Sequence, residues 1–254
     1  MKRRGFYIFL IFTLIIACQT PKINPDLAPT NSACVQQYDP ARDYFPDKVK
    51  ITRAKGFNVE YHNHYKVINI NNPWKGTNTS FKYILVQCGT PAPQISGAPL
   101  NTYYVTVPVN SVISLSTTHL PHLAKLGVVD KLVAVSDTKT VNTSEVVERI
   151  KSGKVANVGS NATVNVEQIL ELNPDLITTY GTGNAESDSY PKLLEAGLKV
   201  AINAEYMEDS PLGRSEWLKF TALFFNKEKE AEQIFGEVAK KYDEIAAKAK
   251  AVKT

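Results

Sequence analysis

The sequence predicts an α/β fold: a parallel-sheet lobe with flanking helices, preceded by a small antiparallel β subdomain and ending in a long helix. Three patterns carry that expectation. After Pro108, short apolar runs of strand type alternate with helical patterns, an order that gives a parallel sheet covered on both faces. Between residues 49 and 107, strand-like runs follow one another with only turn residues between them. Past residue 215 the apolar spacing is helical to the last residue. With 254 residues, 43% of them hydrophobic and 21% charged, the chain can bury a sizeable core in one or two domains. Its net charge of +4 is interspersed with acidic residues, so no nucleic-acid footprint emerges.

At the N-terminus, Lys2, Arg3 and Arg4 precede the apolar residues 6–17, a run too short for a comfortable membrane span and laid out as a secretory signal. Ile15-Ile16-Ala17-Cys18 resembles a bacterial lipobox. The resemblance implies that residues 1–17 are a lipoprotein signal peptide, cut before Cys18, whose acylation anchors an exported protein on a membrane, facing the periplasm or the cell exterior. An ordinary N-terminal anchor with a chance cysteine is the alternative. Export leaves Cys34 and Cys88 as an even pair in an oxidising compartment, either a disulfide or two buried thiols. Residues 18–45, rich in Pro, Asn, Thr and Ala without apolar period, read as a flexible tether that only Cys34 would pin down.

Residues 46–108 form the β-rich subdomain, with strands at 59–61, 65–70, 81–86 and 103–107. The lobe spans 109–213. Residues 112–115 and 132–135 read as strands; helices at 119–126 and 143–151 end at Gly127 and Gly153. Next comes a βαβ unit. Asn157 and Val158 lead into a turn, Asn165 stands at the N-cap with Gln168 three residues on, and Val166, Ile169, Leu170 and Leu172 make the apolar helix face. Asn173-Pro174 stops that helix, because the residue before a proline is pushed out of the α region, and 176–179 is a strand. Tyr180, Gly181, Thr182 and Gly183 therefore fall at a strand's carboxyl end, where open α/β sheets bind ligands. A helix at 190–196 and a strand at 199–202 complete the lobe, and the helices of 214–254 follow.

Several residues invite chemistry. Ser116, Thr117, Thr118 and His119 follow a strand and open a helix, so their amides and hydroxyls suit an anionic or carbonyl-bearing ligand; plain helix capping explains the hydroxyls equally well. No G-x-S-x-G surrounds Ser116, which argues against hydrolysis. His119 with His122, and His62 with His64, pair at spacings that start a metal site, yet no histidine after His122 completes one. Gly181-Thr182-Gly183 resembles a dinucleotide loop, but Glu186 takes the place of the third glycine. Glu167, two residues past an N-cap, is stabilised by the helix dipole and is available to an arginine on a partner. Glu205 and Arg214 fall near the same strand-end rim, a solvated surface pair being the bland reading.

Val112-Ile113-Ser114-Leu115-Ser116, Leu132-Val133-Ala134-Val135 with Ser136-Asp137, Val158-Gly159, the segment N-V-E-Q-I-L-E-L-N-P-D-L-I from Asn165 to Ile177, and L-E-A-G-L-K-V from Leu194 to Val200 resemble the iron-siderophore and vitamin B12 class of ABC-transporter substrate-binding proteins. The run from Ala204 to Trp217 is similar to a subgroup that carries a β-rich N-terminal extension. The resemblance implies the N-terminal lobe of a helical-backbone periplasmic binding protein, a monomer that performs no catalysis and needs no cofactor or structural metal. It implies a small-molecule ligand, an iron chelate (ferric siderophore or haem) or a corrinoid, delivered to an ABC permease in the cytoplasmic membrane. Ser116, Thr117, Thr118, Asp137, Ser160, Tyr180, Gly181 and Thr182 match positions that line the cleft; Glu205, Tyr206 and Arg214 are further cleft or docking candidates, and Glu167 matches the glutamate that docks on permease arginines. Members of this class usually continue past the long helix into a second lobe, so the resemblance implies either a truncated or interrupted form or a second half supplied from elsewhere. A zinc or manganese receptor, with His119 as one ligand, and an envelope scaffold lipoprotein are the alternatives.

Overall fold

The computed structural model describes residues 34–252 apart from 96, 98, 99, 161, 162 and 185. Cys18 and residues 1–17, which the sequence suggests are a signal peptide, lie outside the described residues. Two sheets organise the chain. In the first, β1 (Phe57–Tyr61), β2 (Tyr65–Asn71), β3 (Ser80–Gln87) and β4 (Thr102–Val107) lie in sequence order. β1, β2 and β3 are antiparallel, but β4 runs parallel to β3, with Lys82 opposite Thr102 and Gln87 opposite Val107. The sheet is therefore mixed, not wholly antiparallel as its sequence suggests. After β3, Ile95 packs on Val67, Ile84 and Val86, and the chain re-enters the sheet at Thr102, opposite Lys82 near the start of β3.

The second sheet is parallel throughout: β5 (Val112–Ser114), β6 (Leu132–Val135), β7 (Ala156–Asn157), β8 (Leu176–Thr179) and β9 (Val200–Ile202), in the order β7-β6-β5-β8-β9. Its helices are α1 (Leu120–Lys125), α2 (Ser144–Lys151), α3 (Val166–Leu172) and α4 (Tyr190–Glu195). Asn165 caps α3 by accepting from Gln168 N–H at 3.0 Å, and Asn173 ends it in the left-handed conformation. The chain moves outward from β5 through β6 to β7, then returns to place β8 on β5's other side. β5 and β8 thus flank the switch point, where successive connections diverge and leave a crevice at the strands' carboxyl ends.

Two helices close the fold, α5 (Pro211–Leu223) and α6 (Glu228–Ala251). α5 begins earlier than its apolar spacing suggests: Ser210 accepts from Gly213 N–H at 3.0 Å, and Pro211 at the first helical position has its φ preset. Arg214 therefore lies in the first turn of α5. On α6 the apolar stripe is covered at Ala231 and Phe235, whereas Val238, Tyr242 and Ile245 are exposed.

The β-rich segment has no main core of its own. Phe57, Ile68, Tyr83 and Val105 share one core with Ile113 and Ile177 of the parallel sheet and Trp217 and Phe220 of α5. Phe57 meets Trp217 at 4.7 Å between ring centres, and Ile202 N–H donates to the Tyr83 hydroxyl at 2.9 Å. Two buried carboxylates fasten residues 52–56, one on α5 and one in the turn ahead of it. Glu216 accepts the N–H groups of Thr52, Arg53 and Ala54; Glu208 accepts those of Lys55 and Gly56 and the indole N–H of Trp217. Buried Lys66 donates to Glu228 at 2.7 Å, to Asn226 at 2.9 Å and to the Leu223 carbonyl, tying β2 to the α5–α6 turn. Residues 34–45, which composition alone assigns to a tether, are fixed. Cys34 is disulfide-bonded to Cys88, Val35 N–H donates to the Cys88 carbonyl, and Tyr44 and Phe45 are buried.

Candidate functional site

The loops after β5, β8 and β9 converge on the switch-point crevice. A cavity of about 350 Å³ there is lined by Ser116, Thr118, Tyr180, Thr182, Glu205 and Tyr206. Beside it a second hollow of about 330 Å³ shares Thr118, Glu205 and Tyr206 and adds His122, Arg214 and Ser215. Each wall has a local cause. Ser116 caps a short 3₁₀ turn (Thr117–His119), its hydroxyl 2.9 Å from that of Thr118, which donates in turn to Glu205 at 2.5 Å. Glu205 opens another 3₁₀ turn (Glu205–Met207), held by its N–H on the Asn203 side chain at 3.0 Å. The loop after β8 wraps the buried carboxylate of Asp188, which accepts Thr182 N–H, the Thr182 hydroxyl and Gly183 N–H. The Tyr206 hydroxyl donates to the Gly181 carbonyl at 2.6 Å, with the Pro73 carbonyl at 3.2 Å.

Behind Glu205 stands His119, only 2% exposed. Its Nε2 lies 3.6 Å from Glu205 Oε2, an ion-pair distance longer than a hydrogen bond. Neither atom has a hydrogen-bond partner among the described residues, nor does His119 Nδ1. Burial pushes the Glu205 carboxyl up, but the His119 imidazole, the Thr118 hydroxyl and His122 outweigh it and hold the carboxyl below its ordinary value. His122 bonds Thr221 Oγ1 through Nδ1 at 3.1 Å; burial, with His119 nearby, lowers its pKa to about 4, so its ring is neutral at neutral pH.

The remaining sequence candidates stand apart from the cavity. Thr117 is half-buried in its 3₁₀ turn, and Gly181 is buried beneath Trp74. Asp137, after β6, accepts from Lys139 N–H at 2.9 Å to cap a turn; Ser160, after β7, offers its carbonyl to Thr163. Both share the strand-end edge but follow the two strands on the far side of β5. Arg214 points its Nε at the Glu208 carbonyl at 3.0 Å and rims the second hollow. Glu167 is exposed in the first turn of α3, with no ion-pair partner among the described residues. His62 and His64 fall in the β1–β2 turn: His62 stacks on Tyr65 at 4.2 Å, and His64 Nδ1 meets the Tyr38 hydroxyl at 3.2 Å. Among the described residues no group of three or more His, Cys, Asp or Glu is arranged to hold a metal ion.

Sequence reasoning missed three contributors, Pro73, Trp74 and Asp188. A tryptophan in a turn between Asn72-Pro73 and Lys75-Gly76, where polar residues are the rule, was the available signal for the first two. Asp188 offered none.

A parallel sheet whose switch-point crevice is lined by hydroxyls, two tyrosine rings and one carboxylate is the architecture of a ligand-binding lobe. The chain belongs to a family of such proteins: a family model described as "Periplasmic binding protein" matches residues 112–254, from β5 onward. Two relatives, both described as uncharacterized lipoproteins of Methanocaldococcus jannaschii, are 30% identical over 202 residues (73% of this chain, 48% of the relative) and 29% identical over 174 residues (66% and 43%). The chain thus spans about half the length of the curated relatives it matches. Similar solved structures include a possible iron-binding (periplasmic solute-binding) protein from Staphylococcus epidermidis, with TM-score 0.43 and 22% identity over 54% of this chain and 50% of that one. A periplasmic binding protein from Veillonella parvula has TM-score 0.48 and 16% identity over 74% and 54%.

Proposed function

We propose that this chain is the ligand-binding part of an ABC importer's substrate-binding lipoprotein, taking up a ferric siderophore, haem or cobalamin-like chelate and passing it to a membrane permease without chemical change. The observation that carries the reading is the switch-point crevice itself. Tyr180 and Tyr206 give an apolar wall for a conjugated ligand, and Ser116, Thr118, Thr182 and Glu205 give a polar rim that orients it. Family membership supports transport, and the lipoprotein descriptions of the two archaeal relatives support an anchor at Cys18. Glu167, exposed on the rigid first turn of α3, is the docking group for a permease arginine.

The test has two arms. Haemin, a ferric catecholate and cyanocobalamin are titrated against the purified chain by absorbance and tryptophan quenching; saturable binding of one of them supports the reading and binding of none defeats it. Co-purification with an ABC permease should be lost in Glu167→Arg, and undiminished association removes Glu167 from the docking role. A second reading, a bare zinc or manganese ion as cargo, is favoured by one observation: the unpartnered, buried His119 Nε2 and Glu205 Oε2 at 3.6 Å. Stoichiometric metal after refolding in zinc or manganese, lost in His119→Ala, would decide for it.

A further inference from the structure

We propose that the turn between β2 and β3 is a working part of the crevice: Trp74 clamps the loop 180–183 and, with Pro73 and Tyr206, sets the shape of the ligand-binding wall. This rests on the ligand-binding reading above and deepens it by adding a positioning residue from a distant part of the chain.

The clamp has two jaws. On one side the Trp74 ring, 9% exposed, lies so close to the loop that a Cβ on Gly181 would stand 2.7 Å from its Cε3 and Cζ3. A Cβ on Gly183 would stand 2.6 Å from its Cδ1 and Nε1. Only glycine admits a ring at that distance, and at Gly183 the positive φ of 79° demands glycine as well. Tyr190 and Phe81 pack against Trp74 at 5.7 and 6.1 Å between ring centres and back it against the loop. Asp188 is the second jaw: it takes the N–H groups of Thr182 and Gly183 and the Thr182 hydroxyl.

Tyr206 carries the effect to the ligand. Its ring lines the cavity while its hydroxyl reaches both the Gly181 carbonyl of the loop and the Pro73 carbonyl of the turn. The wall made by Tyr180, Thr182 and Tyr206 is thus held in one geometry before any ligand arrives, and such preorganisation lowers the ordering cost of binding. The β-rich extension is then a determinant of which ligand fits.

Amide exchange on the full chain tests the clamp without a ligand. In Trp74→Ala the Thr182 and Gly183 amides should exchange about tenfold faster or more, while Ile68 and Ile84 in the neighbouring strands keep their protection. Trp74→Phe should restore part of that protection. Gly181→Ala should lower the unfolding temperature in the wild type, by collision with the ring, and cost much less in the Trp74→Ala background, a non-additivity confined to groups in contact. For whichever of haemin, ferric catecholate or cyanocobalamin binds the wild type, Trp74→Ala should weaken binding about tenfold and Trp74→Phe less. Unchanged exchange at Thr182 and Gly183, equal cost of Gly181→Ala in both backgrounds, or faster exchange with undiminished affinity would each overturn the proposal. If none of the three probes binds the wild type, the ligand reading fails while the exchange and additivity results still decide the clamp.

Discussion

Replacing Glu216 by alanine is predicted to loosen the β-rich extension from α5 and to lower stability steeply. Glu216 is 0% exposed, and its two oxygens collect the N–H groups of Thr52, Arg53 and Ala54 at 3.0, 2.6 and 2.7 Å, the Thr52 hydroxyl at 3.0 Å and the Lys219 ammonium at 3.0 Å. Hydrogen bonds to a charged group contribute about 1.5–3 kcal/mol each, though bonds sharing one carboxylate do not add in full. Removing one partner of a buried pair costs about 3–5 kcal/mol. Lys219 keeps Glu232 at 2.9 Å, so its charge is not stranded, and about 4 kcal/mol is the net expectation. For a chain of this size that corresponds to a fall in Tm of about 8–16 °C. Glu216→Gln, which keeps one acceptor oxygen, should lose roughly half as much. Thermal unfolding by circular dichroism at pH 7 reads both. A fall of less than about 4 °C in Glu216→Ala would mean that the three amides had found other acceptors at little cost and that Glu216 does not anchor the segment.

Acid should act through the same carboxylate. Burial pushes the Glu216 carboxyl up, but the amides of Ala54, Arg53 and Thr52 and the Lys219 ammonium outweigh it and hold it below the usual carboxylate value. Its stabilisation is present above the unfolded value and lost as pH falls through the lowered one, so Glu216→Ala should flatten the acid limb of a stability–pH curve. His122 works in the same direction at milder pH: with a folded pKa of about 4 against 6.5, its neutral form stabilises the fold above 6.5 and that stabilisation drains away as pH falls toward 4. His122→Asn should remove this slope in denaturation midpoints measured from pH 7 to pH 4. Lys66→Met should cost about 3–5 kcal/mol by leaving Glu228 buried without its cation, and Lys66→Met with Glu228→Leu should cost less than Lys66→Met alone in urea unfolding.

The lobe was legible where local chemistry and periodicity agree. Asn165 with Gln168, and Asn173-Pro174 at the far end, marked α3 to within a residue, and the alternation after Pro108 marked a parallel sheet. Ser116, Thr118, Tyr180, Thr182, Glu205 and Tyr206, singled out from the sequence, line one cavity because each follows a strand that adjoins the switch point or its neighbour. What the sequence hid are contacts made across long separations. No local pattern announces that Glu208 and Glu216 will gather the amides of residues 52–56, that Trp74 will press on Gly181, or that β4 will return parallel to β3. Periodicity reports which face of an element is apolar, not which distant segment covers it. The early start of α5 was missed for a different reason: Pro211 and Gly213 read as loop residues until Ser210 is seen capping the helix they open.

Filling the crevice between the ends of β5 and β8 tests most directly whether the ligand sits there. Ser116→Trp and Thr182→Trp place a bulky ring in the cavity from its two opposite loops. Equilibrium titration of haemin, a ferric catecholate and cyanocobalamin against the wild type and both variants is predicted to give one-site binding of at least one probe to the wild type. Each variant should bind that probe at least about tenfold more weakly while keeping the wild-type circular dichroism spectrum. Undiminished affinity in both variants would place the ligand elsewhere and contradict the account.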